Sequence, residues 1–367
     1  MSPDTDRDLP PYDRVAMDGI AICRNSLKSG TRTFRIEGCQ HAGKPAQKLY
    51  NLNNCIEVMT GAPLPKHTDA VVKFEDLEFN SGSYTLLDSV KEVDFKQNIH
   101  RQGSDSLKGH EVIPTGSMMN SPRWAIAASI GQSKIVTIKK PRIDILSTGD
   151  ELVSIGEQPL PHQIRLSNPS AIYAALLQNG FENIHLSHVS DSKDKLLEIL
   201  ISLLEKTQCL IISGGVSAGR FDYVPGALTD LKTQRIFHKV RQKPGKPLWF
   251  GISQRKQPIF GLPGNPVASL LCFYRYVLPS LSKSTKKISI SKYARLEEDI
   301  SFSKKMTFFA PVACKFGEDA ITYAKPIRSQ GSGDFVALNA SDGFLELPEN
   351  QSVYRAGTCY PLYTWRS

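Results

Sequence analysis

Closely spaced cysteines are missing from this 367-residue sequence. Its seven cysteines include no CxxC pair, and several of them lie in apolar stretches. An odd, scattered set is typical of reduced and mostly buried thiols, and it does not fit a disulfide framework or a zinc cluster. We therefore expect a cytoplasmic protein.

Long apolar segments are missing as well. No uninterrupted apolar run approaches the roughly 20 residues of a transmembrane helix. The polar, proline-rich start, MSPDTDRDLPPYD, is unlike a signal peptide. We therefore expect no membrane association. With 40% hydrophobic and 22% charged residues, the composition is that of a soluble globular chain, and its length predicts two to four domains.

A concentrated basic segment is also absent. The net charge is +9, but lysine and arginine are spread along the chain. The densest cluster, 283–292, is typical of an exposed connector, and no nucleic-acid-binding motif accompanies it. Nucleic acid is therefore not expected as a partner and stays a remote alternative. A small, highly anionic substrate explains the excess positive charge equally well.

The common catalytic signatures are absent too. The sequence has no Walker A motif, no GxGxxG, no GxSxG elbow and no recognisable Ser/His/Asp triad. Covalent catalysis is therefore unsupported. The chemistry that remains is the handling of anions by charged side chains and a metal ion.

The order of apolar stretches and turn residues divides the chain into three regions. From about residue 18 to 105, short apolar stretches alternate with turn residues, which predicts a β-rich region. From about 141 to 281, strands alternate with helices, which predicts a parallel sheet covered on both faces. From about 293 onward, short strands and turns return and predict a small all-β region.

The middle region contains the most definite elements. Asn168 is the predicted N-cap of a helix at 169–179, because a proline in the first turn follows it. Ligands of such sheets bind outside the carboxyl ends of the strands, so the loops that follow strands are where a site is expected. The predicted strands are 142–147, 184–190, 209–213 and 259–261, and the other predicted helices are 193–206 and one that begins at 265.

Two glycine-containing loops follow predicted strands at this edge. In the loop 213–219, SGGVSAG, consecutive glycines let backbone N–H groups turn toward a phosphate or pyrophosphate, and the next helix adds its positive end. An ordinary glycine turn is the alternative. The second loop, 262–266, is LPGNP. The candidate binding residues of the two loops are Ser213, Gly214, Gly215, Ser217, Gly219, Pro263, Gly264, Asn265 and Pro266.

Four carboxylates fall beside the same predicted edge: Asp150, Glu151, Asp191 and Asp222. Carboxylates next to a phosphate site usually hold Mg²⁺, because hard oxygen ligands suit this ion and substrate phosphates complete its shell. We therefore predict that these four side chains supply the ligands of a Mg²⁺ site. A helix-capping role is the alternative, most of all for Asp191.

A cationic turn lies between the two loops in sequence. Lys243 and Lys246 flank a Pro-Gly pair within the basic segment 239–247. This rigid turn holds two ammonium groups at a fixed separation, which favours a positioned oxyanion site. A solvated charged face is the alternative.

Nine short motifs occur in a recognisable order: MDGIA at 17–21, MTGAP at 59–63, DAVV at 69–72, TGDEL at 148–152, SGGVS at 213–217, FDYV at 221–224, PGKP at 244–247, LPGNPV at 262–267 and GSG at 331–333. In this order they resemble the MoeA family of molybdopterin molybdotransferases, which includes the E domain of gephyrin. The resemblance covers nearly the whole chain.

The resemblance implies a multidomain α/β fold with four domains. Residues 1–17 and 106–138 correspond to an elongated first domain, and 18–105 to a β-rich inserted second domain. Residues 139–286 correspond to a parallel-sheet α/β/α domain that binds molybdopterin, and 287–367 to a small C-terminal β-barrel. Members of the family are homodimers with the active site between the third domain of one subunit and the second domain of the other, so Asp18 and Thr60 act in trans.

The resemblance also implies a reaction. Adenylylated molybdopterin and molybdate are the substrates, AMP is released, and molybdenum is bound by the dithiolene. The Mg²⁺ predicted above from the carboxylates is the expected cofactor. A molybdopterin adenylyltransferase and molybdoenzyme acceptors are the implied partners. The residues that we predict to be catalytic are Asp18, Thr60, Glu151, Asp222, Lys243 and Lys246.

The chain departs from the family pattern in two places. Family members usually carry some tens of largely helical residues before the first motif, which begins here at Met17, so we expect part of the first domain to be missing. Ser104 stands where the family usually has glutamate in R-x-G-E-D. A molybdopterin-binding scaffold without turnover is therefore an alternative. A molybdopterin adenylyltransferase is disfavoured, because it lacks the first two motifs and the C-terminal β region.

Overall fold

The structure, a computed structural model, describes residues 4–217, 219, 222–284, 292–328, 331 and 333–365. The chain divides into two compact units, Met1–Thr137 and Ile138–Ser367. Most of the predicted connector 283–292 and the central residue of the GSG motif lie outside the described residues. Within the described part, no helix is long and apolar enough to cross a membrane.

The first unit consists mainly of short strands. They are β1 (Arg14–Val15), β2 (Gly19–Ile22), β3 (Thr33–Gln40), β4 (Cys55–Val58), β5 (Ala70–Lys73), β6 (Leu77–Asn80), β7 (Ser83–Leu86) and β8 (Ile99–His100). Its helices are α1 (Arg24–Lys28) and α2 (Ser121–Ser129), with a 3-10 turn at Phe74–Asp76. Six strands form one sheet in the order β5-β2-β4-β3-β7-β6, and β1 pairs with β8. The predicted β-rich character of 18–105 is confirmed.

Both faces of strand β2 are buried. Ile20 and Ile22 pack into one apolar cluster, and Ala21 packs into another. Successive side chains of a strand point to opposite faces of the sheet, so a strand that is covered on both sides needs apolar residues at every position. This explains why β2 is a continuous apolar run without polar alternation.

Two segments that are distant in sequence meet in the first unit. The Thr5 amide donates to the carbonyl of His110, and the Leu9 amide donates to the carbonyl of Ser106 over 2.8 Å. The Asp8 carboxylate accepts the Lys108 amide. The contacts agree with a first domain built from 1–17 and 106–138, although the boundaries themselves stay a prediction.

The second unit combines strands and helices. The strands are β9 (Ile143–Thr148), β10 (Leu152–Val153), β11 (Ile164–Arg165), β12 (Ile184–Val189), β13 (Cys209–Ser213), β14 (Gln234–His238), β15 (Gln242–Lys243), β16 (Trp249–Ile252), β17 (Pro258–Leu262), β18 (Lys292–Leu296), β19 (Ile300–Ser301), β20 (Thr307–Phe316), β21 (Thr322–Pro326), β22 (Gly343–Leu347), β23 (Val353–Tyr354) and β24 (Cys359–Thr364). The helices are α3 (Ser167–Gln178), α4 (Lys193–Lys206), α5 (Val224–Asp230), α6 (Pro266–Cys272) and α7 (Leu278–Ser284), with a π-helical turn at Phe273–Val277 and a 3-10 turn at Val336–Ala340.

One of the two six-stranded sheets of this unit has the order β12-β9-β13-β17-β16-β14. The first four strands are parallel, which confirms the predicted core of the sheet, whereas β16 and β14 are antiparallel additions. The additions were not predicted. Strand β16 leads into β17 through a short turn, in which the Ser253 amide donates to the carbonyl of Gln257, and so short a connection joins antiparallel strands only.

Helices cover both faces of this sheet, as predicted. Ile145 and Ile211 pack in one cluster with residues of α3 and α6, and Leu146 and Ile212 pack in another with residues of α4 and α5. This alternation follows from the period of two residues along each strand. The carboxyl ends of the central strands therefore open between two helical layers.

The first helix of this unit begins earlier than predicted. Helix α3 starts at Ser167, and Leu166 occupies the N-cap position. Asn168 is therefore not the cap. It lies in the first turn, where its side-chain amide donates to Ser213 Oγ over 3.0 Å and to the carbonyl of Gly264 over 2.7 Å.

The C-terminal strands form the predicted closed barrel. Strand β20 pairs with both β21 and β22, and the order β21-β18-β24-β22 completes a ring of five strands. Its core includes Val312, Leu345 and Tyr354. The Arg275 guanidinium, in the π-helical turn, pairs with Glu346 on β22, so that the barrel is joined to the α/β part by an ion pair.

Candidate active site

A cleft of about 710 Å³ opens at the carboxyl ends of β9, β13 and β17. This is the edge at which the sequence predicts a site. The predicted residues that line the cleft are Glu151, Asp191, Ser213, Gly214, Gly215, Ser217, Gly219, Asp222, Lys243, Lys246, Pro263, Gly264, Asn265 and Pro266. Asp150 does not line it, although its neighbour Glu151 does.

The glycine loop lies directly against the end of β9. Gly214 and Gly215 have φ angles of +96° and +65°, a region that glycine enters at little cost. A Cβ atom at Gly214 would lie 2.8 Å from the carbonyl oxygen of Thr148, and one at Gly215 would lie 2.7 Å from Thr148 Oγ1. Both positions therefore require glycine. Ala218, Arg220 and Phe221 of the same segment lie outside the described residues.

Two helices begin at this cleft. Ser167, Asn168 and Pro169 of α3 line it, as do Asn265 and Pro266 at the start of α6. The first N–H groups of a helix have no partner within the helix, and the helix dipole makes this end positive, so both N-termini favour an anion. The sequence predicts that the helix after the glycine loop adds its positive end to the site. This prediction is wrong, because α5 begins at Val224, which does not line the cleft.

The carboxylates gather around Asp191. Burial raises the pKa of Asp191, and the negative charges of Asp150, Glu151 and Asp222 raise it further. The Asp150 carboxylate accepts the backbone amide of Asp191 over 3.0 Å, and that of Asp222 accepts the amide of Gly219. Within the described ranges, no three such side chains come close enough to form a metal site by themselves. The four acids thus share one negative region without forming a complete ligand cage.

The cationic turn is fixed on both sides. Strand β15, which contains Lys243, pairs with β20 of the barrel. The buried Gln242 side chain donates to the carbonyl of Pro244 over 3.1 Å, and a Cβ atom at Gly245 would lie 2.7 Å from Cys272 Sγ. Lys243 and Lys246 are exposed, and neither forms an ion pair with a described residue. Two positioned ammonium groups therefore remain available to an anion.

Asp18 and Thr60 form a pair within the first unit. Both the amide and the hydroxyl of Thr60 donate to Asp18 Oδ1, over 2.6 Å and 2.7 Å. These two hydrogen bonds lower the pKa of Asp18. Both side chains are exposed. An ionised carboxylate with a fixed orientation is thus presented on the surface of this unit.

Several residues that line the cleft were missed from the sequence. Ser147 and Thr148 end strand β9, and Arg165, Asn168 and Gln242 come from three further elements. The polar pair at the end of an otherwise apolar strand was a visible signal. The positions of the other three depend on contacts between distant segments, which the sequence does not reveal.

Family models match nearly the whole chain. Residues 4–131 match the MoeA N-terminal region (domain I and II), residues 144–283 match a probable molybdopterin binding domain, and residues 293–365 match the MoeA C-terminal region (domain IV). Each of the three parts of the chain is thus matched by a model of its own.

Full-length relatives and a solved structure agree with these matches. A molybdopterin molybdenumtransferase of Synechocystis sp. is 40% identical over 99% of this chain and 90% of its own length. The enzyme of the same name from Haemophilus influenzae is 33% identical over 95% of this chain and 86% of its own. The molybdopterin biosynthesis MoeA protein of Pyrococcus horikoshii superposes with a TM-score of 0.80 at 26% identity, covering 99% of this chain and 90% of that one.

Proposed function

This chain belongs to the MoeA family, and we propose that it is a molybdopterin molybdenumtransferase that inserts molybdenum from molybdate into adenylylated molybdopterin. The observation that carries the proposal is the composition of the cleft. Two helix N-termini, a glycine loop and two lysines without a described ion-pair partner converge on one space, with carboxylates at its rim. Such a site suits a substrate with several negative charges and a bound cation.

Each group in the cleft has a distinct task in this proposal. The glycine loop and the starts of α3 and α6 bind the phosphate groups, because backbone N–H groups there can donate hydrogen bonds to phosphate oxygens. Lys243 and Lys246 attract the molybdate dianion. Asp191 and Asp222, with Glu151 nearby, hold the cation and orient the phosphate groups that separate.

The proposed reaction changes no oxidation state. Once molybdate is bound, cleavage of the phosphoanhydride bond by water releases AMP and leaves molybdopterin. The two dithiolene sulfurs then bind molybdenum, and their two protons leave with one oxygen of molybdate as water. We propose that a molybdopterin adenylyltransferase supplies the substrate and that molybdoenzymes accept the product.

The carboxylates fit Mg²⁺ bound together with the substrate. Mg²⁺ is usually held by one or two carboxylates plus substrate phosphates, and it keeps several waters. We propose Asp191 and Asp222 as its ligands, with Glu151 nearby. Asp150 is not proposed as a ligand, because it does not line the cleft. When bound, the ion would neutralise charge on the phosphate groups.

The raised pKa of Asp191 makes the cation dependence measurable. The folded protein takes up the proton of Asp191 at a higher pH than the unfolded chain does, so this group destabilises the fold at neutral pH and does so less as the pH falls. Asp191→Asn should therefore raise Tm at neutral pH, and the difference from wild type should shrink on acidification. Mg²⁺ should raise the Tm of wild type, and much less that of the variant.

A matched variant separates this local effect from a general change in charge. Glu198 is exposed on α4 and does not line the cleft. Glu198→Gln should keep the full Mg²⁺-dependent increase in Tm. Equal responses of Tm to Mg²⁺ in wild type and Asp191→Asn would contradict the assignment of Asp191.

We also propose that the chain acts as a homodimer. The Asp18–Thr60 pair of one subunit would then serve the cleft of the other subunit. The support is that this pair presents a fixed, ionised carboxylate on the exposed surface of the first unit. Sedimentation velocity tests the proposal, and a single monomeric species at working concentrations would contradict it.

The test of the function is AMP release from adenylylated molybdopterin with Mg²⁺ present. We expect AMP to form when molybdate is added and to form much more slowly when it is omitted. A chain that binds the substrate tightly but releases no AMP under either condition would be a scaffold, and the proposed activity would be wrong.

A further inference from the structure

Two neighbouring hydroxyl groups at the floor of the cleft have no hydrogen-bond partner among the described residues. Ser147 and Thr148 end strand β9, and the two residues are 1% and 7% exposed. Neither Ser147 Oγ nor Thr148 Oγ1 makes a hydrogen bond to any described residue. A buried polar group without a partner destabilises a fold, and native proteins rarely keep one without a functional reason. Two such groups in succession, both lining one cleft, need an explanation.

Ser147 lies on the face of the sheet that α3 and α6 cover. It follows Ile143 and Ile145 at the period of two residues, and both of these pack in the cluster that contains residues of the two helices. In the parallel register Ser147 lies beside Ser213 of β13. The Ser213 hydroxyl already accepts a hydrogen bond from Asn168 in the first turn of α3. Ser147 is therefore at the base of the space into which the two positive helix ends open.

Thr148 lies on the opposite face, against the glycine loop. A Cβ atom at Gly215 would lie 2.7 Å from Thr148 Oγ1, and one at Gly214 would lie 3.2 Å from it. The hydroxyl is therefore next to the backbone of the loop that we assign to phosphate binding. The two unpartnered hydroxyls thus flank the end of one strand, each beside a different anion-favouring element.

We propose that Ser147 and Thr148 form a hydroxyl subsite that donates one hydrogen bond to each of two linked phosphate groups of the ligand. A hydroxyl can donate or accept a hydrogen bond. The helix N-termini and the glycine loop beside these two hydroxyls favour an anionic ligand, which accepts hydrogen bonds, so here the hydroxyls would act as donors. The subsite rests on the proposed function, in which the ligand is adenylylated molybdopterin with its phosphoanhydride. These are positioning residues, and no proton or bond is transferred by either hydroxyl.

Opposite effects on stability and on binding distinguish this role from a structural one. Removing an unpartnered buried hydroxyl relieves its desolvation cost in the free protein, so Ser147→Ala and Thr148→Val should each raise the Tm of the ligand-free chain. The same substitutions should weaken ligand binding, because the donor is gone. A hydroxyl with a structural partner would instead lower Tm when it is removed.

The chain offers both a matched control and a rescue. Ser269, on α6, is buried and unpartnered among the described residues in the same way, but it does not line the cleft. Ser269→Ala should not lower Tm and should leave ligand binding unchanged. Thr148→Ser keeps the hydroxyl and should bind the ligand as wild type does.

The experiment is a calorimetric titration of inorganic pyrophosphate into the full chain and its four variants, with Tm measured on the same samples. We expect pyrophosphate to bind about tenfold more weakly to Ser147→Ala and to Thr148→Val than to wild type, as for a lost hydrogen bond to a charged group. Unchanged affinity in both variants, or no pyrophosphate binding to wild type, would overturn the subsite. A fall in Tm of both variants would overturn it too.

Failure of the subsite and failure of the proposed function give different results. If pyrophosphate binding depends on Ser147 and Thr148 but no AMP is released from adenylylated molybdopterin, the subsite stands and the transferase does not. If AMP release requires molybdate but the affinity for pyrophosphate is the same in both variants as in wild type, the transferase stands and the subsite is wrong.

Discussion

Replacing Lys243 and Lys246 together by glutamine should raise the molybdate concentration needed for half-maximal AMP release about a hundredfold, as for the loss of two charge-assisted hydrogen bonds. Both side chains line the cleft and are exposed. Neither has a carboxylate partner in the described part of the chain, so the substitutions remove attraction for an anion without breaking an ion pair. The affinity for adenylylated molybdopterin should fall less, because backbone groups also bind its phosphates.

Lys239 provides the control for this prediction. It belongs to the same basic segment and is also exposed, but it does not line the cleft. Lys239→Gln lowers the net charge by one and should leave the molybdate dependence unchanged. Lys243→Gln alone should give an intermediate shift. If the double variant responds to molybdate as wild type does, the two lysines form an ordinary solvated face and the oxyanion site is wrong.

Gly214→Ala should destabilise the fold by about 3 kcal/mol, as expected for a strained backbone position combined with a steric clash. The φ angle of +96° disfavours any side chain, and the new Cβ atom would lie 2.8 Å from the carbonyl oxygen of Thr148. Because that oxygen belongs to the backbone of β9, the loop has to move away from the strand. Substrate binding should therefore be lost together with stability.

Gly226→Ala is the matched control for the glycine loop. Gly226 lies within helix α5, and a Cβ atom there would meet nothing within 4 Å. Alanine favours the helix over glycine by roughly 1 kcal/mol, so this variant should be as stable as wild type or slightly more stable. Urea denaturation of the two variants measures the contrast. Equal stability of Gly214→Ala and wild type would contradict the geometry of the loop.

The parallel core of the sheet and its functional edge could be predicted because they follow from local patterns. The segments that became β9, β12 and β13 are separated by predicted helices, and this alternation leaves few arrangements other than a parallel sheet. Because ligands bind at the carboxyl ends of such strands, the loops that line the cleft could be predicted as the binding site. The residue types of these loops indicated anions.

The antiparallel strands and the role of Asn168 could not be predicted in this way. Strand β14 pairs with β16 through contacts that no local period reveals. A capping rule uses only the next few residues of the chain, whereas the Asn168 amide bonds to Ser213 and Gly264, which lie 45 and 96 residues away. Tertiary partners decided the outcome in both cases.

The neighbouring carboxylates Asp150 and Glu151 show another limit of prediction from sequence. Asp150 and Glu151 are adjacent in sequence and follow the same strand, so no sequence pattern separates their roles. In the structure the Asp150 carboxylate accepts the Asp191 amide, while Glu151 lines the cleft. The side chain of Asp150 is oriented by Asp191, which follows β12, and β12 lies beside β9 only in the folded sheet.

The most direct test of the transferase is to measure AMP and dithiolene-bound molybdenum in the same reaction. Purified chain is incubated with adenylylated molybdopterin, molybdate and Mg²⁺, and both products are quantified over time. We predict equal amounts of AMP and bound molybdenum at every time point, and neither product in the Asp222→Ala variant. AMP that accumulates without bound molybdenum, or full turnover in the variant, would contradict molybdenum insertion at this cleft.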